Sequence, residues 1–163
     1  MEKVIEPCSS SIIPTDLSAR NNVHGVLTFV SSGQSTVTLV KVGEPFDISL
    51  EYSLDDKNWN PYIIGETIDL LDEDKLFFRA GESGNKRFSK DNDDYYQFKI
   101  SGEIAARGSI MSLLDRNCRK NAVPSHAFRY LFRDCACLTE APELPAMELA
   151  DGCYYGMLNG CTN

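Results

Sequence analysis

Cysteines are the residues of this sequence with the clearest potential for chemistry. Five of the six lie within residues 118–163; the full set is Cys8, Cys118, Cys135, Cys137, Cys153 and Cys161. Cys135 and Cys137 form a Cys-x-Cys pair, which with Cys153, Cys161 or His126 would supply four ligands of the types that zinc prefers. Paired Cys-x-x-Cys motifs are missing, and small buried thiols also pack well in a protein core. We therefore predict core cysteines and no metal site.

Motifs for catalysis are missing from the sequence. Neither His24 nor His126 lies in a pattern that would hold a cysteine nucleophile within hydrogen-bond reach. Gly-rich phosphate loops, His-Glu-x-x-His and Gly-x-Ser-x-Gly are not found either. The sequence thus predicts a protein that is not an enzyme, with no catalytic residue and no cofactor.

Clustered carboxylates are the other groups with potential chemistry. Residues 55–56 and 72–74 fall between predicted strands, where Asp stabilises a chain reversal through bonds to its own backbone. Asp91, Asp93 and Asp94 offer alternating oxygen donors that suit calcium, but the order of an EF-hand loop and its central Gly are missing. Turn formation explains these clusters without a metal.

Charge and composition exclude several classes of partner. The 163 residues carry 16 Lys and Arg against 24 Asp and Glu, for a formal net charge of −8, and 42% are hydrophobic. Such a chain is not attracted to nucleic acid or to an anionic membrane. It has neither the apolar run of about 18 residues that a membrane-spanning helix needs nor a secretory signal pattern after Met1. We expect no nucleic-acid binding and no membrane insertion, and a disulfide framework only in an oxidising compartment.

Alternating hydrophobicity predicts short β-strands over residues 24–103. The clearest segment has apolar side chains at every second position, namely Ile48, Leu50, Tyr52 and Leu54. Further strands are predicted at residues 67–70, 75–79 and 96–100, with Trp59 and Tyr62 as core aromatics. Six or seven such strands without a helical pattern predict an antiparallel immunoglobulin-like β-sandwich.

A long connection, residues 80–94, interrupts this pattern. About 15 residues without apolar periodicity are uncommon inside a compact domain unless they are functional or mobile. We interpret the segment as a binding loop whose Lys86, Arg87, Phe88 and Lys90 contact a ligand. A mobile hairpin tip is the alternative.

The N-terminal residues 1–23 show no period of either strand or helix, and they contain Pro7 and Pro14. We interpret them as an extended arm. Such an arm is either a loose terminus or an anchor that docks on a partner through Ile12 and Ile13.

The tail, residues 104–163, changes to the spacing of helices. Its apolar residues recur three or four positions apart, at Ile110, Leu113 and Leu114 and again at Phe128, Leu131, Phe132 and Cys135. At an offset of 26, residues 127–135 align with residues 153–161 in one shared order: small, aromatic, two variable, two apolar, two polar or turn residues, then Cys. Periods of this length indicate stacked units. We predict short amphipathic helices that stack on one another.

Two segments of the tail carry a recognisable pattern: residues 135–146, Cys-Ala-Cys-Leu-Thr-Glu-Ala-Pro-Glu-Leu-Pro-Ala, and residues 149–157, Leu-Ala-Asp-Gly-Cys-Tyr-Tyr-Gly-Met. This pattern resembles BspA-like leucine-rich repeats. Upstream, residues 35–39, 50–54 and 110–114, with Trp59 and Tyr62, are similar to the immunoglobulin-like β-domain that often precedes such repeats in gut Bacteroidales and their phages. Cys137 departs from the pattern, since a Ser is common there, and only about one and a half repeats are present. The implied organisation is an arm (1–23), a β-sandwich (24–103) and a repeat segment with short helices (104–163).

The resemblance implies adhesion or display. Members of the family are similar to bacterial cell-surface proteins that bind host or microbial partners, and related copies occur in phage structural proteins. We expect a component of the virion surface, a fibre or a capsid decoration protein, that binds a protein or glycan and assembles as a homo-oligomer or into a larger particle. The alternatives are a fragment of a bacterial cell-surface adhesin and an accessory module of a carbohydrate-active enzyme.

Overall fold

The computed structural model describes residues 25–162, which are mainly β, with 41% strand and almost no helix. The strands are β1 (Leu27–Val42), β2 (Leu50–Ser53), β3 (Asn60–Pro61), β4 (Thr67–Leu70), β5 (Lys75–Ala80), β6 (Tyr95–Arg107), β7 (Ala122–Val123), β8 (Leu138–Glu140) and β9 (Glu148–Leu149). A short 3-10 helix, Ile110–Leu113, follows β6. No helix in the described range is long and apolar enough to cross a membrane. The predicted arm, with Ile12 and Ile13, lies outside the described residues.

A long antiparallel pair, β1 and β6, forms the centre of the main sheet. The strand order is β3-β2-β5-β1-β6-β8, in which β6 and β8 are parallel and the other neighbours are antiparallel. The register of β1 against β6 shifts between Ser32 and Thr36. On its other edge, β1 pairs with β5 before this shift and with β4 after it. Because the strand changes register at that point, it can serve two partners along one edge.

The strand predictions are largely confirmed. Residues 67–70, 75–79 and 96–100 lie in β4, β5 and β6, and Tyr62 is buried in the core. The segment 48–54 is the exception, because Ser53 is fully buried and Leu54 is 58% exposed. The Asp55 carboxylate accepts hydrogen bonds from Ser53 Oγ and from the Asn58 N–H, at 2.9 and 2.8 Å. These bonds turn the chain after Ser53 and end the alternation there.

A continuous hydrophobic cluster joins the sheet to the tail. It contains Phe29 and Phe78 from the strands together with Phe128, Phe132 and Met157 from the tail. The predicted boundary between residues 103 and 104 falls inside β6. The two predicted parts therefore share one strand and one core.

The α-helices predicted for the tail are not found among the described residues. Residues 124–135, which we call the first ribbon, and residues 150–161, the second ribbon, are instead runs of successive β-turns. In each ribbon the N–H of every second residue, beginning at Ala127 and at Cys153, donates to the carbonyl three residues earlier. A positive φ recurs every four residues, at His126, Tyr130 and Asp134 and at Gly152, Gly156 and Gly160. A right-handed helix cannot contain such residues.

The remaining N–H groups of the first ribbon bind the second ribbon. The even-numbered residues from His126 to Asp134 donate to the carbonyls of Asp151, Cys153, Tyr155, Met157 and Asn159, at 2.7–3.1 Å. An α-helix would use these groups internally. Because the ribbon repeats every four residues, its buried side chains recur at nearly the helical spacing. This explains why the sequence pattern indicated helices.

Candidate functional site

Aromatic rings at three successive levels stack inside the tail. The Phe88 and Phe128 ring centroids are 6.0 Å apart with planes at 21°, and those of Phe128 and Tyr154 are 5.8 Å apart with planes at 6°. Tyr154 follows Phe128 by the predicted offset. These two positions, which align in the sequence, therefore stack in space.

The loop of residues 80–94 is attached to the core at two buried residues. The Asn85 amide accepts from the Ser49 N–H and donates to the Leu113 carbonyl, both at 2.8 Å. Phe88 is fully buried, and its N–H donates to the Ala127 carbonyl at 2.6 Å. Phe88 is thus a core residue and not the ligand contact that we predicted, because its ring completes the aromatic stack.

The other three predicted loop residues remain nearer the surface. Lys86 and Lys90 are exposed. Arg87 is half-buried, with its guanidinium carbon 5.6 Å from the Phe46 ring centroid. Two of the four predicted side chains, Lys86 and Lys90, are thus exposed, whereas the Nε of Arg87 is buried.

Three tyrosines from different levels meet beside the loop, and we call them the tyrosine ladder: Tyr95, Tyr130 and Tyr155. The centroids of Tyr95 and Tyr130 are 5.0 Å apart and those of Tyr130 and Tyr155 are 5.8 Å apart, both pairs edge-to-face. Tyr95 is buried at the start of β6, Tyr130 is half-buried, and Tyr155 is 58% exposed. The ladder therefore carries aromatic surface from the sheet out to solvent.

Two arginines of the first ribbon lie against the ladder. The guanidinium carbon of Arg129 is 4.6 Å from the Tyr155 centroid, and that of Arg133 is 4.9 Å from the Tyr130 centroid. A guanidinium at this distance from a ring is attracted by its electron-rich face. Arg133 also pairs with Asp134 at 3.6 Å. Within residues 25–162, Arg129 forms no ion pair, and its buried Nε has no hydrogen-bond partner.

Two glycines of the second ribbon make room for these side chains. A Cβ at Gly156 would lie 2.6 Å from Tyr130 Cε1, and one at Gly152 would lie 3.2 Å from Arg129 Nη2. Both glycines have positive φ. The second ribbon thus has glycines at the positions where Arg129 and Tyr130 of the first ribbon pack against it.

The loop forms one rim of the ladder. The Asn92 amide oxygen accepts from Arg129 Nη1 and, at 3.4 Å, from the Tyr130 hydroxyl. The His126 Nδ1 lies 3.2 Å from the Lys90 carbonyl. The predicted binding loop and the tyrosine ladder therefore belong to one surface.

The carboxylates of Asp91 and Asp94 accept hydrogen bonds from backbone N–H groups. Asp91 accepts from the N–H groups of Asp93 and Asp94, at 2.9 and 3.0 Å, which holds the pKa of its carboxyl below the ordinary value. Asp94 accepts from the Glu44 N–H at 2.6 Å. The described residues contain no group of three or more His, Cys, Asp and Glu side chains placed to hold a metal ion.

Equivalent cysteines of the two ribbons make equivalent contacts. Cys135 Sγ donates to the Phe98 carbonyl at 3.2 Å, and Cys161 Sγ donates to the Phe132 carbonyl at 3.1 Å. Burial raises the pKa of Cys135 to about 12. Both are packed thiols, and Cys118 is disulfide-bonded while Cys135, Cys137, Cys153 and Cys161 are free.

Sequence reasoning missed the residues of this surface. Arg129, Tyr130 and Tyr155 occupy the positions that appear variable when the two repeats are aligned. The signal that could have found them is the kind of side chain at these positions. The positions that are alike in both ribbons are buried in the first ribbon, so the positions that differ face outward. Large aromatic and basic residues at outward positions are typical of binding surfaces.

Comparisons with protein-family models, with curated proteins and with solved structures found no match to this chain. The resemblance to BspA-like repeats therefore rests on the residues quoted above, and the family stays a proposal.

Proposed function

We propose that this chain is a non-enzymatic binding protein displayed on a surface, and that the tyrosine ladder with Arg129 is its binding face. The observation that carries the proposal is an arginine held against tyrosine rings, on a partly exposed surface, without an ion-pair partner in the described residues. Tyrosine and arginine dominate the energetics of many protein interfaces, since they combine large contact area with directional hydrogen bonds. Arg129 and Tyr155 are the residues we expect to contribute most.

The rigidity of the scaffold supports this assignment. Tyr95 belongs to β6, whereas Tyr130 and Tyr155 belong to ribbons that are tied together by a row of backbone hydrogen bonds. The Tyr130 N–H itself donates to the Tyr155 carbonyl at 3.1 Å. Little conformational entropy is lost when such preorganised side chains bind a ligand.

The setting that we propose is the surface of a phage virion, as a fibre or capsid decoration protein that attaches to a protein or glycan of the host. The support is the stacked 26-residue repeat and its likeness to BspA-like proteins. We further propose that β1 to β6 correspond to the immunoglobulin-like sandwich of that family. Antibody labelling of purified virions tests the setting, and labelling of bacterial surfaces alone would favour the adhesin alternative.

The outer edge of the second ribbon supports the proposed assembly with other copies. The N–H groups of Gly156 and Leu158 have no acceptor within residues 25–162, whereas their equivalents in the first ribbon, at Tyr130 and Phe132, are bonded. Met147 and Leu149, which precede the second ribbon in the sequence, are 72% and 60% exposed. Light scattering at increasing concentration tests the assembly: we expect an oligomer, and a monomer throughout would contradict it.

Substitution of the most exposed ladder residue tests the binding face. Labelled wild-type protein, Tyr155→Ala and Ile63→Ala are applied to intact Bacteroidales cells and to an array of bacterial surface polysaccharides. Ile63 is 71% exposed and lies outside the ladder, so its variant controls for the loss of an exposed apolar side chain. We expect Tyr155→Ala to lose most of the binding and Ile63→Ala to keep it. Equal binding by all three proteins would overturn the assignment, and hydrolysis of any glycan would overturn the non-enzymatic part.

A further inference from the structure

The charge of Arg129 has no counterion among residues 25–162, in a chain whose net charge is −8. Two other basic side chains at this surface are paired, Lys90 with Asp94 at 3.4 Å and Arg133 with Asp134 at 3.6 Å. Arg129 is fixed instead by a neutral group, the Asn92 amide oxygen. An amide orients the guanidinium and leaves its charge in place. The surface is therefore ready to receive an anion at this point.

From this arrangement we propose that the ladder binds an acidic oligosaccharide, with a carboxylate of the sugar on Arg129 and the sugar rings on Tyr130 and Tyr155. The inference rests on the proposed function, since it names the ligand class of the same face. A guanidinium has five N–H donors in a planar fork that matches a carboxylate. The Nε of Arg129 is buried, and of the four N–H groups on its two Nη atoms only one on Nη1 is used within residues 25–162, by Asn92.

Three acidic residues of the loop and the first ribbon, Asp91, Asp94 and Asp134, are engaged by groups other than Arg129. Asp91 and Asp94 accept hydrogen bonds from backbone N–H groups of residues 93, 94 and 44, and Asp94 also neutralises Lys90. Asp134 is paired with Arg133. These carboxylates stabilise the loop and the first ribbon, so that an incoming anion meets an uncompensated positive charge.

The shape of the surface favours a saccharide over a peptide. The ladder is a row of tyrosine rings, each with an apolar body and a polar hydroxyl, and these suit the mixed apolar and hydroxyl faces of sugar rings. A peptide that binds as an added strand needs pockets for its alternate side chains. Two cavities of the described structure, of about 140 and 260 Å³, are lined by residues outside the ladder. An acidic peptide is therefore an outcome for the experiment to exclude.

The experiment compares matched acidic and neutral polymers. Hyaluronan, alginate and polygalacturonate, each beside its carboxyl-reduced form, and polyglutamate are titrated into wild-type protein by calorimetry. The variants are Arg129→Gln, Arg129→Lys and the control Arg119→Gln, which removes an exposed arginine outside the ladder. Thermal unfolding of each variant verifies that it is folded.

We expect at least one acidic polysaccharide to bind, with at least tenfold weaker binding by its carboxyl-reduced form and by Arg129→Gln, because a charge-assisted fork is lost. Arg129→Lys should lie between wild type and Arg129→Gln, and Arg119→Gln should match wild type. Equal affinity for the carboxyl-reduced forms, or tighter binding of polyglutamate, would overturn the acidic saccharide. If no polymer binds while cell binding still depends on Tyr155, the ligand class is wrong and the binding face stands. If no polymer binds and cell binding does not depend on Tyr155, both the ligand class and the binding face are wrong.

Discussion

The ring of Tyr130 fills the space that a side chain at position 156 would occupy. A Cβ built on Gly156 would lie 2.6 Å from Tyr130 Cε1, and the φ of this glycine is +59°. The two residues hold equivalent positions in the first and second ribbons. The first ribbon therefore supplies the Tyr130 ring, and the second ribbon supplies Gly156, whose missing side chain leaves room for that ring.

Substitution of Gly156 by Ala is expected to destabilise the protein more than the same change at Gly33. Both glycines have positive φ, but a Cβ at Gly33 would meet nothing within 4 Å. The shared backbone strain costs roughly 1–2 kcal/mol, and displacement of Tyr130 should add about 1 kcal/mol or more for Gly156→Ala alone. Urea unfolding of both variants measures the difference. Equal losses would show that the Tyr130 ring moves aside at no cost.

The strand half of this protein could be predicted from the sequence. Alternation at residues 67–70 placed β4, because every second side chain there is buried. The repeat was also detectable. Phe128 and Tyr154 lie in similar surroundings in the two stacked ribbons, so both positions carry an aromatic residue. Local periodicity carries this information directly.

The conformation of the tail and the position of the site could not be predicted in the same way. Phe128, Leu131 and Phe132 have the spacing of a helix, yet the choice between helix and turn ribbon depends on N–H groups that bind the neighbouring ribbon. Phe88 likewise joins the core through contacts with the distant Phe128. Such long-range contacts leave no local period in the sequence.

Because Cys135 is buried, we expect the free energy of unfolding to decrease at alkaline pH. Its pKa is raised from 9.0 to about 12 in the folded protein, so the folded state favours the neutral thiol. The free energy of unfolding should be unaffected below about pH 9. It should then fall between pH 9 and 12, where the unfolded thiol ionises and the folded one does not, by at most about 1.4 kcal/mol per pH unit.

Urea unfolding at pH 8 and pH 10 tests this for wild type, Cys135→Ala and Cys137→Ala. Only Cys135→Ala should lose this part of the pH dependence, although it is less stable at both values. In addition, iodoacetamide at pH 8 should modify Cys135 in urea but not in the native protein, because the thiolate is the reactive form. Identical pH slopes in wild type and Cys135→Ala would contradict the prediction.

Asn85 is expected to be the structural anchor of the loop. Its buried amide bonds to both the N–H and the carbonyl of Ser49 and to the carbonyl of Leu113, all at 2.8 Å. Asn85→Ala leaves the Ser49 N–H and the Leu113 carbonyl unpaired, whereas the Ser49 carbonyl still accepts from the Gly81 N–H, and should cost about 3 kcal/mol. The exposed Asn60→Ala should change stability by less than about 0.5 kcal/mol. Urea unfolding compares the two, and a similar small effect would mean that water replaces the lost bonds.

Asn92 is expected to affect binding instead of stability, in contrast to Asn85 in the same loop. It is exposed, and its amide oxygen accepts from Arg129 and from the Tyr130 hydroxyl. Asn92→Ala should unfold within about 0.5 kcal/mol of wild type but bind the acidic probe polysaccharide more weakly, because the guanidinium is no longer held in place.

Asn92→Asp separates orientation from charge at the same position. The carboxylate keeps an acceptor for Arg129 but neutralises it, so an anionic ligand loses its counterion. Affinity for the acidic polysaccharide should therefore decrease in the order wild type, Asn92→Ala, Asn92→Asp, as measured by calorimetry. Wild-type affinity in Asn92→Asp would show that the charge of Arg129 does not contribute, whereas reduced stability in Asn92→Ala would assign this residue to the fold.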